Sequence, residues 1–131
     1  MTQEEKQLLL KDLCARLPYG VIVRTEVYNT SILEPSYLDK YESLHPIAYL
    51  RPISNITKEE VDKLFSILNI DEENETEWLK VNNINVIRLF TQEGKDFYEI
   101  AEAMDYLHSI HIDYRGLIEK GLALEAPEEM Y

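Results

Sequence analysis

Few residues in this chain have types and spacing that suit chemistry. The nearest set is His108, His111 and Asp113, within His108-Ser109-Ile110-His111-Ile112-Asp113. On a continuing helix, histidines three residues apart are neighbours and can share one ion, with Asp105 or Asp113 supplying a carboxylate. That reading makes the chain a metal-binding protein or an enzyme. The tighter H-E-x-x-H signature is absent from the sequence. The plainer reading places both imidazoles on an apolar face, hydrogen-bonded within the fold, and we prefer it. No metal, cofactor or catalytic residue is expected, and the chain reads as a non-enzyme.

Other chemistry finds less support. Asp71, Glu73 and Glu75 resemble the first ligands of a calcium loop, but Thr76 stands where that loop needs glycine and Asn82 where it needs a bidentate Glu. The single cysteine, Cys14, lacks an identifiable His partner and falls on an apolar stripe, so it reads as a small buried hydrophobe. No G-x-S-x-G elbow and no Gly-rich phosphate loop is present.

The elements that carry these residues follow from periodicity. Thr2 and Glu5 have capping-box spacing at the head of a helix over 3–17, with Leu9, Leu10, Leu13, Cys14 and Leu17 as its apolar stripe. Residues 21–28 alternate as a strand, Ser31 to Leu33 returns as a short partner, and 47–53 reads as another strand ending near Pro52. Residues 37–44 fit either class. Ile56-Thr57-Lys58-Glu59-Glu60-Val61 combines a capping box with a hydrophobic staple, so a helix starts there. Asn74 and Glu77 suit the cap of a short helix through Trp78, and Ile84 to Phe90 suits a third strand. Asp96 caps a helix over 97–110. Asp113 then caps a short helix over 114–120, with Gly121 as its left-handed stop. Helices and strands do not alternate regularly. The expected class is therefore α+β: one small domain over 1–131, an N-terminal helix, a short, mostly antiparallel sheet of about three strands, C-terminal helices packed on it, and a frayed tail over 126–131.

The chain has 131 residues, 45% hydrophobic, with 25 acids, 13 bases and a net charge of -12. Residues 57–131 hold 18 acids and 7 bases, a net of -11, whereas residues 1–56 have a net of -1. Nucleic acid and anionic lipid are disfavoured partners, because both demand clustered Lys and Arg. A basic protein is the favoured partner, although acids on exposed helix faces also serve solubility alone. No run approaches the ~18 apolar residues of a membrane span, and Met1-Thr2-Gln3-Glu4-Glu5 lacks the features of a secretory signal, so the expected location is cytoplasmic. Nine tyrosines add an interface-prone type, five of them (Tyr19, Tyr28, Tyr37, Tyr41, Tyr49) in the near-neutral first half.

Two stretches carry a resemblance. One is Ala48-Tyr49-Leu50-Arg51-Pro52-Ile53-Ser54-Asn55-Ile56-Thr57-Lys58-Glu59-Glu60, and the other is His111-Ile112-Asp113-Tyr114-Arg115-Gly116-Leu117-Ile118-Glu119-Lys120-Gly121-Leu122-Ala123-Leu124-Glu125-Ala126-Pro127. Together they resemble small uncharacterised proteins encoded in gut bacteria and their phages and prophages. The resemblance implies a mobile-element setting and carries no activity. Tyr49, Arg51, Tyr114 and Arg115 within these stretches are types common at binding hot spots and are the candidate partner contacts. The competing reading of the second stretch is a structural clamp at the end of the chain. The leading functional expectation is an accessory protein that acts by protein–protein interaction, with an acidic decoy for a basic partner as its narrower form.

Overall fold

A computed structural model describes residues 2–68 and 97–131. The expected acidic loop, short helix and third strand of residues 71–90, and the Asp96 cap, lie outside them. The described chain forms two compact units, Met1–Leu50 with Leu117–Tyr131, and Arg51–Gly116. The class is α+β, as expected, with helices, including one near the N-terminus, and, among the described residues, five short strands. The pairing is mixed: two pairings are antiparallel and two parallel.

The first unit opens with α1 (Gln3–Arg16), whose Thr2–Glu5 capping box is formed on both sides. Its buried residues are Leu9, Asp12, Leu13 and Arg16, at helical spacing. This corrects the sequence reading by rotating the buried stripe toward Asp12 and Arg16. Arg16 Nε donates to Asp12 Oδ2 at 2.8 Å, with side-chain exposures of 0% and 1%. Each charge offsets the other's desolvation, which is what lets both sit where apolar residues were expected. Cys14 is exposed as a consequence.

A 3-10 turn over Leu17–Tyr19 ends at Gly20, whose left-handed backbone (φ 70°) reverses the chain. β1 (Ile22–Arg24) is shorter than expected. Thr25 Oγ1 accepts from the N–H groups of Val27 and Tyr28 and turns the chain before the alternation ends. β2 (Ser31–Ile32) returns antiparallel to β1. The ambiguous segment resolves into α2 (Pro35–Asp39) and α3 (Tyr41–Leu44), with Pro35 in the first turn where its missing N–H costs nothing. β3 (Ile47–Pro52) pairs antiparallel with β1, through Val23 with Ala48 and Arg24 with Ile47.

The tail is a second correction. Residues 127–129 are exposed, but the Ala126 N–H donates to the Leu50 carbonyl at 2.8 Å. The Tyr131 hydroxyl accepts from the Ile22 N–H at 2.9 Å and donates to the Tyr49 carbonyl at 2.7 Å. It bridges β1 and β3 one step beyond their last paired residues, so the end is pinned and not frayed. Burial pushes this phenol up to about 12.

The core of this unit gathers Leu9, Leu13, Val21, Val23, Leu33 and Leu50 with the C-terminal Leu117, Leu122 and Ala123.

In the second unit, α4 (Lys58–Leu68) and α5 (Phe97–Ser109) contribute Val61, Leu64, Phe65, Ala103 and Leu107 to a core shared with Ile53, Ile56, Ile112 and Tyr114. β4 (Ile112–Asp113) lies parallel to the end of β3, opposite Arg51 and Pro52. Asp113 is thus a buried strand residue and not the cap of a helix over 114–120. That segment forms turns, because Gly116 and Gly121 both take positive φ (73° and 74°). In the first unit, Leu122 N–H donates to the Leu117 carbonyl before β5 (Leu124–Glu125) pairs parallel with β3. Among the described residues, no helix is long and apolar enough to cross a membrane.

Candidate functional site

The Y-L-R-P segment works as a joint. β3 delivers Arg51 toward the first turn of α4, where Thr57 and Glu60 form the predicted capping box. Glu60 N–H donates to Thr57 Oγ1 at 3.2 Å, and Thr57 N–H donates to Glu60 Oε1 at 2.9 Å. The Arg51 guanidinium then grips the same carboxylate with both ends of its fork, Nη1 to Oε2 and Nη2 to Oε1, each at 2.8 Å. Nη1 also donates to the Ile110 carbonyl at 3.1 Å and Nη2 to the Asn55 carbonyl at 3.0 Å. One planar cation therefore ties strand end, turn, helix start and the exit of α5. The Glu60 hydrogen bond raises the Arg51 pKa. Burial alone pushes Glu60 up, but hydrogen bonds from Arg51 and Thr57 outweigh it and hold the carboxyl below its usual range.

The H-I-D-Y-R segment builds a second knot. α5 ends at Ser109, and His111 takes a left-handed backbone (φ 62°), so His108 and His111 are not neighbours on a continuing helix. His108 Nε2 and the Tyr114 hydroxyl are 2.7 Å apart, both buried, and the rings meet at a centroid distance of 5.5 Å. The Arg115 guanidinium lies 5.1 Å from the Tyr114 ring centroid, within cation–π range. One imidazole nitrogen of His108 thus faces a phenol. Asp105 is exposed on α5 while Asp113 is buried in β4. Among the described residues, no group of three or more His, Cys, Asp or Glu side chains is placed to hold a metal ion.

The four candidate contacts are divided between the two units. Arg51, Tyr114 and Arg115 lie in the second unit, and their polar or aromatic groups face internal partners. Tyr49 lies in the first unit, half-buried, its hydroxyl donating to the Asn29 carbonyl at 3.2 Å.

An exposed face that no motif marks runs along α5. Tyr98 is 83% exposed. Glu102 and Asp105 follow it at four and seven residues, both exposed, which puts all three on one face of the helix. The opposite face carries Ala103 and Leu107 into the core. The signal was present in the sequence as the acidic positions left over once the apolar stripe is drawn.

A scan of protein-family models finds no match to this chain, and neither do comparisons with curated proteins and with solved structures.

Proposed function

We propose that this chain is a non-enzymatic accessory protein of phage or prophage type that works in the cytoplasm by binding another protein, and that its partner presents a basic surface. The observation that carries this reading is the outward stripe of α5: a nearly fully exposed tyrosine followed by two exposed carboxylates at helical spacing. Tyrosine supplies area and a hydroxyl at little entropic cost, and flanking carboxylates steer a cationic partner onto it. The lopsided charge of the chain, with a net of -11 over residues 57–131, adds long-range attraction of the same sign. The two resembling stretches support the mobile-element setting. They also fit the clamp reading, since their polar side chains are engaged inside the fold.

The test is affinity capture from bacterial lysate with immobilised full-length chain, identified by mass spectrometry, at low and high salt. A reproducible basic partner is expected, lost at high salt and lost with the triple variant Tyr98→Ala, Glu102→Lys, Asp105→Lys. Capture that ignores both salt and the triple variant would overturn the reading.

A further inference from the structure

β1 and β3 pair through Val23 with Ala48 and Arg24 with Ile47, so Ile22 and Tyr49 are the next pair in register. In an antiparallel ladder, pairs that exchange hydrogen bonds alternate with pairs that do not. The Leu33 N–H donates to the Val21 carbonyl at 2.9 Å, so Val21 turns its polar groups to β2 and Ile22 turns its own toward β3. In an unbroken ladder the Ile22 N–H would donate to the Tyr49 carbonyl. Instead the Tyr131 hydroxyl stands between them, accepting from the Ile22 N–H at 2.9 Å and donating to the Tyr49 carbonyl at 2.7 Å. A hydroxyl is donor and acceptor at once, and this one is inserted into a single ladder bond.

Two features favour its withdrawal. The backbone groups that the hydroxyl separates are complementary, so they can close on each other and neither is left orphaned. The strap that delivers the phenol is also strained. The Ala126 N–H donates to the Leu50 carbonyl at 2.8 Å, and beyond it Pro127, Glu128 and Glu129 are exposed. The Met130 N–H then turns back to the Pro127 carbonyl at 3.2 Å, and Glu129 takes a left-handed backbone (φ 68°). A residue with a Cβ carries steric strain in that region and sheds it once the segment is free.

We propose that residues 127–131 are a latch with two states: the Tyr131 phenol inserted between β1 and β3, or the strap released and the Ile22 N–H bonded directly to the Tyr49 carbonyl. All these groups belong to the first unit. Release lengthens the β1–β3 ladder by one step and frees the hydroxyl of a tyrosine that follows two exposed carboxylates, Glu128 and Glu129. The latch thereby sets whether this phenol is an internal bridge or an outward contact. The strain at Glu129 works against insertion, and the two hydrogen bonds of the phenol work for it.

Nuclear magnetic resonance on the full chain tests this in two ways. Tyr131→Phe removes the bridging hydroxyl. In that variant a through-bond coupling between the Ile22 amide nitrogen and the Tyr49 carbonyl carbon is expected, absent from the wild type, with the Ile22 N–H still protected from exchange. In the wild type, relaxation dispersion at the Ile22 amide should report a minor state whose shift matches that of Tyr131→Phe. Glu129→Gly, which suits a positive φ, should lower the population of that state about threefold. An Ile22 N–H that exchanges freely in Tyr131→Phe and shows no coupling to Tyr49 would overturn the proposal, because release would then leave the ladder open. A flat dispersion profile in the wild type, or a minor state that Glu129→Gly leaves unchanged or raises, would overturn it as well.

Discussion

Arg16 in the first unit and Arg51 in the second are both turned inward, and what surrounds them differs. Arg16 is paired along one helix with Asp12, and both side chains are out of contact with water. Arg51 keeps partial contact with solvent and joins four separate pieces of chain through Glu60, Asn55 and Ile110. A desolvated pair adds little net stability, because the attraction repays what dehydration costs. A partly solvated fork that bridges distant segments fixes geometry: within the second unit it holds the turn at Asn55, the first turn of α4 and the exit of α5 around Arg51. The first pair should therefore tolerate replacement by apolar groups of the same shape, and the second should not.

The largest effect that can break this comparison is at Arg16. Arg16→Ala removes the cation beside a buried carboxylate and should cost about 3–5 kcal/mol in urea unfolding. The double variant Asp12→Leu, Arg16→Leu should recover most of that loss. A double variant as damaged as the single would show that the pair, and not the volume, is required.

At Arg51 the comparison sharpens. Arg51→Lys keeps the charge and loses the fork, with an expected cost of about 1.5–3 kcal/mol. Equal stability of the lysine variant would remove the geometric role. The titration of Glu60 adds a pH signature. Its folded pKa is lowered, so its contribution is present above the ordinary carboxylate range and is lost as pH falls through the folded value. Glu60→Gln should flatten stability against pH below about pH 4, where ordinary Glu titrates.

Smaller effects mark two other contacts. Tyr114→Phe removes one hydrogen bond to His108 and should cost about 1 kcal/mol in thermal unfolding. Tyr131 titrates from the other side. Its pKa is raised to about 12, so its contribution is intact below the usual tyrosine range and is lost as pH rises toward 12. Tyr131→Phe should abolish that alkaline limb and cost about 1 kcal/mol at neutral pH through the lost hydrogen bonds.

Where two local signals agreed, the sequence was readable. Thr57 with Glu60 and the staple of Ile56 with Val61 announced α4 because cap chemistry and apolar spacing pointed to one start. The strand at 47–53 and the short return at Ser31 were legible from β-branched alternation and turn residues. The failures share a cause: side chains satisfied by distant partners. Asp12 and Arg16 fell outside the expected stripe because their mutual neutralisation leaves no mark on hydropathy. Asp113 has the form of a helix cap, but pairing of β4 with β3 overrides local preference. The tail looked loose because nothing local predicts that a phenol reaches between β1 and β3 from residue 131. Arg51 and Tyr114 are of hot-spot types, and within the second unit the fork binds Glu60 and the phenol meets His108.

The proposed function assigns stability to the inward knots of the Y-L-R-P and H-I-D-Y-R segments and binding to the outward stripe of α5. The direct test measures thermal stability and salt-sensitive partner capture side by side for Tyr114→Phe and Tyr98→Ala. Tyr114→Phe should lower the melting temperature and keep capture, while Tyr98→Ala should keep the melting temperature and lose capture. The reverse assignment, with capture lost at the buried phenol and stability lost at the exposed one, would contradict it.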